Sequence, residues 1–306
     1  MTVTASYVLI TPAHNEEAFI EGTIRSVAAQ SVLPLRWVIV NDASTDRTKE
    51  VIERCCAPYD FIRLLNLERP PGRHFGRKAI AFHHGLEQVR TVNYEFVGNL
   101  DADIILAPDY FDQILRNFDA DPQLGIGGGI VYTKVGDKFS TGDTTLDSVG
   151  GAVQMFRKDC FRQVGGYLAL EKGGIDAAAE IMARMKGWKV RKFPENKVYE
   201  QRRTGTGDSG VMQARFREGR HSYGLGYGAL FFAARCAYRL KDRPVLVGSV
   251  ASLLGFLSAM LRRDSVVLPK EVVAFLRVEQ REKLRRAATA IFGCTSQRKT
   301  RNTGCS

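Results

Sequence analysis

Asp101-Ala102-Asp103 directly follows the apolar run Tyr94–Leu100, and that placement gives two carboxylates a chemical meaning. The run has the length and bulk of a buried strand, so the acids stand at its carboxyl end. In an extended segment, residues i and i+2 project to the same side. Asp101 and Asp103 can then face one hard divalent cation, Mg2+ or Mn2+, whose open positions suit a diphosphate. A lone D-x-D triplet most often marks a solvated turn; three strand-then-helix units ahead of this one favour the chemical reading.

Those units must position the acids. Strand candidates at Tyr7–Thr11, Trp37–Asn41, Phe61–Leu67 and Tyr94–Leu100 alternate with helical patterns at Glu16–Gln30, Asp46–Cys56 and Gly76–Val89. The alternation predicts an α/β fold with an open, mainly parallel sheet flanked by helices and ligands at the carboxyl ends of its strands. Asn15 and Asp46 are the expected helix caps. A glycine-rich section over 123–199 holds an expected helix Asp176–Lys186 and strand Trp188–Phe193. The expected division is a catalytic domain over 1–204, a helical basic region over 205–292 and a disordered tail over 293–306.

Of the net charge of +11, the C-terminal third carries more than all: residues 202–306 hold 20 Lys/Arg against 7 Asp/Glu, leaving 24 against 26 before them. A near-neutral body with a basic appendage suggests an anionic surface as partner. No nucleic-acid motif accompanies the charge, so acidic lipid is preferred to nucleic acid. The six cysteines form no C-x-x-C pair, and no charged, apolar leader opens the chain; both fit a reducing, cytoplasmic setting.

Thr11-Pro12-Ala13-His14-Asn15-Glu16-Glu17, Asn41-Asp42-Ala43-Ser44-Thr45-Asp46, Asp101-Ala102-Asp103 and Gly174-Ile175-Asp176 ahead of Gly187-Trp188 together resemble the family-2 inverting glycosyltransferases of GT-A fold. The resemblance covers roughly 7–200, and the C-terminal third is more loosely similar to bacterial members acting on exopolysaccharide or lipid-linked glycans. It implies that Thr11, Pro12 and Glu16 lie along the nucleoside, that Asp42 accepts a hydrogen bond from the base, and that Asp103 with Asp101 holds the metal. Asp176 would be the catalytic base. UDP-sugar is the favoured donor by family habit, with GDP open; a hydroxyl of a glycan or lipid-linked acceptor would receive the sugar. Lys78 or Arg77, at the start of a helix where a cation is unfavourable without an anion, fits a diphosphate contact or a solvated basic face.

The chain departs from the family pattern in two places. Ile175 stands where a Glu commonly precedes the base, which touches acceptor binding and leaves a catalytically silent nucleotide- or glycan-binding homologue as the alternative. The Gln-x-x-Arg-Trp motif of processive synthases is absent from both Gln201-Arg202-Arg203-Thr204 and Gln213-Ala214-Arg215-Phe216, which predicts transfer of one sugar. A dinucleotide-binding dehydrogenase is excluded, because no G-x-G-x-x-G follows the first strand. Val245–Leu261 carries no charge but is short for a membrane span, with small residues on one face. It predicts shallow, peripheral attachment at the cytoplasmic face of the inner membrane, against a buried hairpin helix or a true span.

Overall fold

The computed structural model describes residues 6–68, 76–136, 138–141, 145–170, 173–202, 208–241 and 246–301. The chain divides into two compact units, Met1–Gly207 and Asp208–Ser306. In the first, β1 (Tyr7–Ala13), α1 (Ile20–Ala28), β2 (Arg36–Asp42), α2 (Thr48–Cys56), β3 (Ile62–Leu67), α3 (Arg77–Glu87) and β4 (Phe96–Leu100) alternate strictly. Then come β5 (Ile104–Leu106), α4 (Tyr110–Ala120), β6 (Leu124–Val135), β7 (Lys138–Ser140), β8 (Val153–Arg157), α5 (Lys158–Val164), α6 (Ile175–Met185) and β9 (Lys189–Glu200).

One mixed sheet results, in the order β3-β2-β1-β4-β8-β6-β9-β5, with β7 on β6. The block β3-β2-β1-β4 is parallel throughout, and β6 runs parallel to β9. The strands β8 and β5 enter antiparallel. Tyr7–Ile10 and Trp37–Val40 are buried completely, which is why they read as unbroken apolar runs rather than as alternation. One face packs α3, where a Cβ on Gly85 would lie 2.6 Å from Ile10 and 2.9 Å from Val40. The other carries the main core of Leu9, Trp37, Phe96, Phe111 and Phe118 with α1 and α4. Pro194 falls in the register shift between Gly129 and Ile130, where β9 needs no ladder donor, so β9 runs past the expected Phe193.

One of the two expected helix caps needs correction. Helix α1 begins at Ile20, and Asn15 does not cap it: Asn15 is left-handed at φ 56°. Its side-chain Oδ1 accepts the Thr45 amide at 2.8 Å while its backbone amide donates to Ser44 Oγ at 3.0 Å, tying the loops after β1 and β2 together. Asp46 does serve the start of α2, with Oδ1 accepting the Thr48 amide at 3.1 Å, and Oδ2 accepts the Glu17 amide at 3.2 Å.

The second unit comprises α7 (Asp208–Gly224), α8 (Ala229–Tyr238), a 3-10 turn, α9 (Val247–Leu261) and α10 (Lys270–Arg301). The backbone of α10 is helical to Arg301, within the stretch expected to lack regular structure. Helices α7 and α9 cross at backbone contact. A Cβ on Gly219 would fall 1.8 Å from the Ser252 carbonyl oxygen, and one on Gly255 would fall 2.0 Å from that of Phe216. Phe232 stacks on Phe256 at 4.6 Å beside this crossing. The small-residue face of α9 is thus its packed face, with Gly248, Ser252, Gly255 and Ala259 buried. Gly255→Val should therefore destabilise this unit by about 3 kcal/mol or more, because backbone cannot yield as a side chain would. Gly224→Ala, whose Cβ would meet only the Ser265 carbonyl oxygen at 4.0 Å, should be nearly neutral; urea unfolding followed by circular dichroism distinguishes them.

Candidate active site

The carboxyl ends of β1, β2 and β4 carry the acids the sequence singles out. Asp101 and Asp103 lie not in extended chain but in the turn between β4 and β5, a correction to the i, i+2 argument. What aims them is the turn's anchorage. Buried Thr23 of α1 donates its hydroxyl to the Ala102 carbonyl at 2.8 Å and accepts the Ile104 amide at 3.1 Å. The Asp101 amide donates to the Ala152 carbonyl at 2.8 Å, and the Gln201 amide donates to the Asp103 carbonyl at 2.8 Å.

Four carboxylates share this neighbourhood: Glu16, Asp101, Asp103 and Glu200. Burial pushes the Asp103 carboxyl up to about 6, helped by the charges of Asp101 and Glu200 and opposed by Arg202. Burial likewise carries Glu16 up to about 7 against the pull of Arg202, with Asp103 and Asp101 adding repulsion. Two cations answer. Lys78 Nζ lies 2.5 Å from Asp101 Oδ1. Arg202 binds Glu16, reaches Asp103 at 3.4 Å and stacks over the Phe19 ring at 5.2 Å. Among the described residues, no group of three or more His, Cys, Asp or Glu side chains forms a cage for a metal ion.

Asp42 lies at the end of β2, buried, and is gripped bidentately by Arg77, with Nε–Oδ2 at 2.9 Å and Nη2–Oδ1 at 2.5 Å. Its backbone carbonyl meets His14 Nδ1 at 2.8 Å. Thr11 is fully buried and its hydroxyl accepts the Trp37 indole N–H at 2.9 Å, so its side chain faces the core rather than a ligand. Pro12 is half-buried on the same strand. The choice left open between Arg77 and Lys78 resolves into two tasks: Arg77 holds Asp42, and Lys78 holds Asp101.

Asp176 stands in the first turn of α6, after the left-handed pair Gly173-Gly174. Gly151 brings it to the other residues. A Cβ there would lie 2.9 Å from Asp176 Oδ2 and 3.3 Å from its Cβ, so a larger residue would push the carboxylate from its place. The Gly151 carbonyl accepts from Lys78 Nζ at 3.1 Å and from Asn99 Nδ2 at 2.7 Å. Asp176, Gly151, Lys78 and Asp101 therefore form one continuous constellation. His83, unassigned chemically by the sequence, meets the Tyr167 carbonyl at 2.8 Å in a packing role.

Sequence reading singled out Arg77, Lys78 and Arg202 as candidate diphosphate contacts but not their pairing with the acids. The Asp42 clamp of Arg77, the double pairing of Arg202 and the share of Glu200 in the acid cluster have no motif of their own. Gly151 could have been suspected from the Gly150-Gly151 pair, and Asn99 from a polar residue inside an apolar strand.

Residues 8–167 match the family described as Glycosyl transferase family 2, and the chain belongs to it. Its fold is shared with solved GT-A structures. The mannosyltransferase PcManGT from Pyrobaculum calidifontis, in complex with GDP-Man and Mn2+, superposes with TM-score 0.54 at 18% identity, covering 94% of this chain and 81% of that one. TarS 1-349 of S. aureus with UDP-GlcNAc superposes with TM-score 0.52 at 15% identity, covering 89% and 78%. Among curated proteins, the poly-beta-1,6-N-acetyl-D-glucosamine synthase of Staphylococcus aureus is 26% identical over 200 residues, which is 59% of this chain and 46% of that protein. The Staphylococcus epidermidis enzyme is 25% identical over 208 residues, again 46% of its length, so the chain spans about half of these relatives.

The raised Glu16 carboxyl has a measurable consequence. The folded state keeps that proton to a higher pH than the unfolded chain, so stability is lost as pH climbs from about 4.5 to about 7. Glu16→Gln cannot deprotonate. In chelator its stability advantage over the parent should open across that window and then level off, reaching roughly 1–2 kcal/mol on the scale of 1.4 kcal/mol per pKa unit. Paired melting curves from pH 4.5 to 8 check this; an advantage independent of pH would assign the strain to something other than charge.

Proposed function

We propose that the chain transfers a single sugar, with inversion, from a nucleoside-diphosphate sugar to a hydroxyl of a glycan or lipid-linked acceptor. The observation that carries this reading is the convergence of Asp176, Lys78 and the Asp101–Asp103 turn around Gly151. Asp176 removes the acceptor proton as the acceptor oxygen attacks the anomeric carbon, opposite the breaking bond to the diphosphate. The nucleoside diphosphate departs with the bonding electrons, and Lys78 and Arg202 lie where its charge would be received. Asp42 and Arg77 set a carboxylate acceptor beside a guanidinium donor. A uracil edge, with an imide N–H between two carbonyls, complements that pair. The names of the relatives agree with a UDP-linked donor: the curated synthases make a poly-N-acetylglucosamine, and TarS was solved with UDP-GlcNAc. UDP-N-acetylglucosamine is the first donor to test, with GDP-mannose, bound by the archaeal neighbour, second.

The acids fit a hard divalent cation, Mg2+ or Mn2+, as half of a shell. Asp101 and Asp103 supply oxygen donors from one turn, and each is paired with a cationic side chain in its place. Two carboxylates plus phosphate oxygens is the usual way such ions are held. When bound, the ion would neutralise charge on the diphosphate.

Asp103→Ala should abolish turnover and sharply weaken donor binding while the fold persists. Asp176→Asn should lower kcat by about a hundredfold or more, within the range that general-base removal gives, with donor affinity kept. Nucleoside diphosphate release, with calorimetry for donor binding, measures both. Ile175, buried at the start of α6, supports a second reading in which the chain binds donor without transferring sugar. Tight donor binding with no release against any acceptor would favour it.

Peripheral attachment to an acidic lipid surface at the cytoplasmic face also belongs to this proposal. No helix among the described residues is long and apolar enough to cross a membrane. With its small residues packed inward, α9 exposes Val247, Val250, Leu254 and Leu261, continuous with Leu246. An apolar groove of about 610 Å³ between α7 and α9, lined by Met212, Phe216, Val250 and Leu254, extends that face. Exposed Arg262 and Arg263 adjoin it, and acidic headgroups complement them at about 1 kcal/mol per cation. The protein should bind vesicles rich in phosphatidylglycerol and leave them as salt rises, and Leu254→Glu should abolish binding. Equal binding to neutral vesicles would overturn the electrostatic part, and wild-type binding by Leu254→Glu would overturn the apolar part.

A further inference from the structure

A second carboxyl lies one helical turn along α6 from Asp176, and the proposed chemistry leaves it unused. Glu180 is 3% exposed. Its Oε1 accepts the Val149 amide at 2.6 Å and Gln154 Nε2 at 3.3 Å. The same Gln154 amide donates to the Val149 carbonyl at 3.0 Å, and its Oε1 accepts the Tyr167 hydroxyl at 2.7 Å. Tyr167 is itself caged by Phe82, Phe156 and Phe161. Arg184 approaches Glu180 Oε2 only to 3.9 Å. This is an expensive group to bury for packing alone, since an apolar side chain of the same size would fill the space without desolvation.

Its position explains the expense. The amide it binds belongs to the loop 147–151, whose far end is Gly151. Gly151, the flat glycine between two charged groups, has no side chain to hold the loop there, and the Ser148 side chain of the same loop also hydrogen-bonds to Glu180. Glu180 supplies the missing anchor from the helix that also presents Asp176, so helix and loop move as one piece.

We propose that Glu180 is a positioning residue: by accepting the Val149 amide from within α6, it fixes the 147–151 loop so that Gly151 seats Asp176 on one side and Lys78 on the other. The consequence for rate rests on the role proposed above for Asp176, whereas the consequence for the loop does not. The Glu180 carboxyl, driven up to about 8 by burial with a contribution from Asp176, adds no full negative charge beside the base near neutral pH. The acceptor oxygen, rather than the charge, is what the loop needs.

Glu180→Gln keeps an acceptor of the same shape, and Glu180→Leu keeps the volume without it. Amide hydrogen exchange over 147–151, on the full chain, reads the anchor directly. Protection should be retained in Glu180→Gln and fall about tenfold or more in Glu180→Leu, as expected when a buried amide loses its partner. In turnover with UDP-N-acetylglucosamine, Glu180→Leu should lose about tenfold or more in kcat with donor KM changed less than about threefold, and Glu180→Gln should restore it. If Glu180→Leu fails to fold, Gly151→Ala tests the other end of the loop, with the same expected split between kcat and KM. Unchanged exchange in Glu180→Leu, or Glu180→Gln as damaged as Glu180→Leu, would overturn the proposal. Altered exchange in a parent protein that turns over no donor would uphold the anchor and count against the transferase reading.

Discussion

Concentrated negative charge at the carboxyl edge of the sheet is the constraint on which the rest of this structure depends. Glu16, the Asp101–Asp103 pair and Glu200 come from three separate stretches of chain, and their charges repel one another in a partly dry site. Such a cluster persists only if the surrounding fold pins every backbone segment that carries it. Thr23 fastens the turn between β4 and β5 from α1, Ala152 fastens it from the loop before β8, and Gln201 fastens it from the end of β9. Each anchor is a hydrogen bond to backbone, which leaves the carboxylates themselves to cations. Lys78 and Arg202 meet that demand in the protein alone, and a diphosphate with its counter-ion would redistribute it.

The glycines of the second half of the sheet serve the same end by permitting approach. A Cβ on Gly129 would sit 2.2 Å from the Asn196 carbonyl oxygen, and one on Gly128 would sit 2.5 Å from Val149. These contacts press β6 against its neighbours and set the height of the 147–151 loop, which in turn places Gly151 under Asp176. The glycine richness that looks like looseness in the sequence is close packing in the fold.

The parallel half of the fold was legible because Tyr7–Ile10, Trp37–Val40 and Phe96–Leu100 are buried on both faces, a pattern that leaves little doubt about strand and order. Helix α6 was legible for another reason, since Gly173-Gly174 before Asp176 and Gly187 after Lys186 bracket it. Asn15 misled because its side chain satisfies a neighbouring loop thirty residues away, which local capping rules do not see. Thr11 misled in the same manner: its hydroxyl answers Trp37 across the strand pair. The acid partners of Arg77 and Arg202 were hidden because they lie 35 and 186 residues distant in sequence. Periodicity reports burial, and long-range pairing of charge leaves no period.

The start of α3 shows how such pairing organises a ligand site without a motif. Arg77 and Lys78 are neighbours in sequence, yet one reaches Asp42 at the end of β2 and the other reaches Asp101 at the end of β4. Those strand ends are separated by β1, so the two side chains diverge from one helix start to either side of it. A helix N-terminus does not favour cations, and no acidic residue occupies the first turn of α3 to offset them. The pairs with Asp42 and Asp101 supply the compensation instead. Both cations are thereby fixed from the first turn of a single helix.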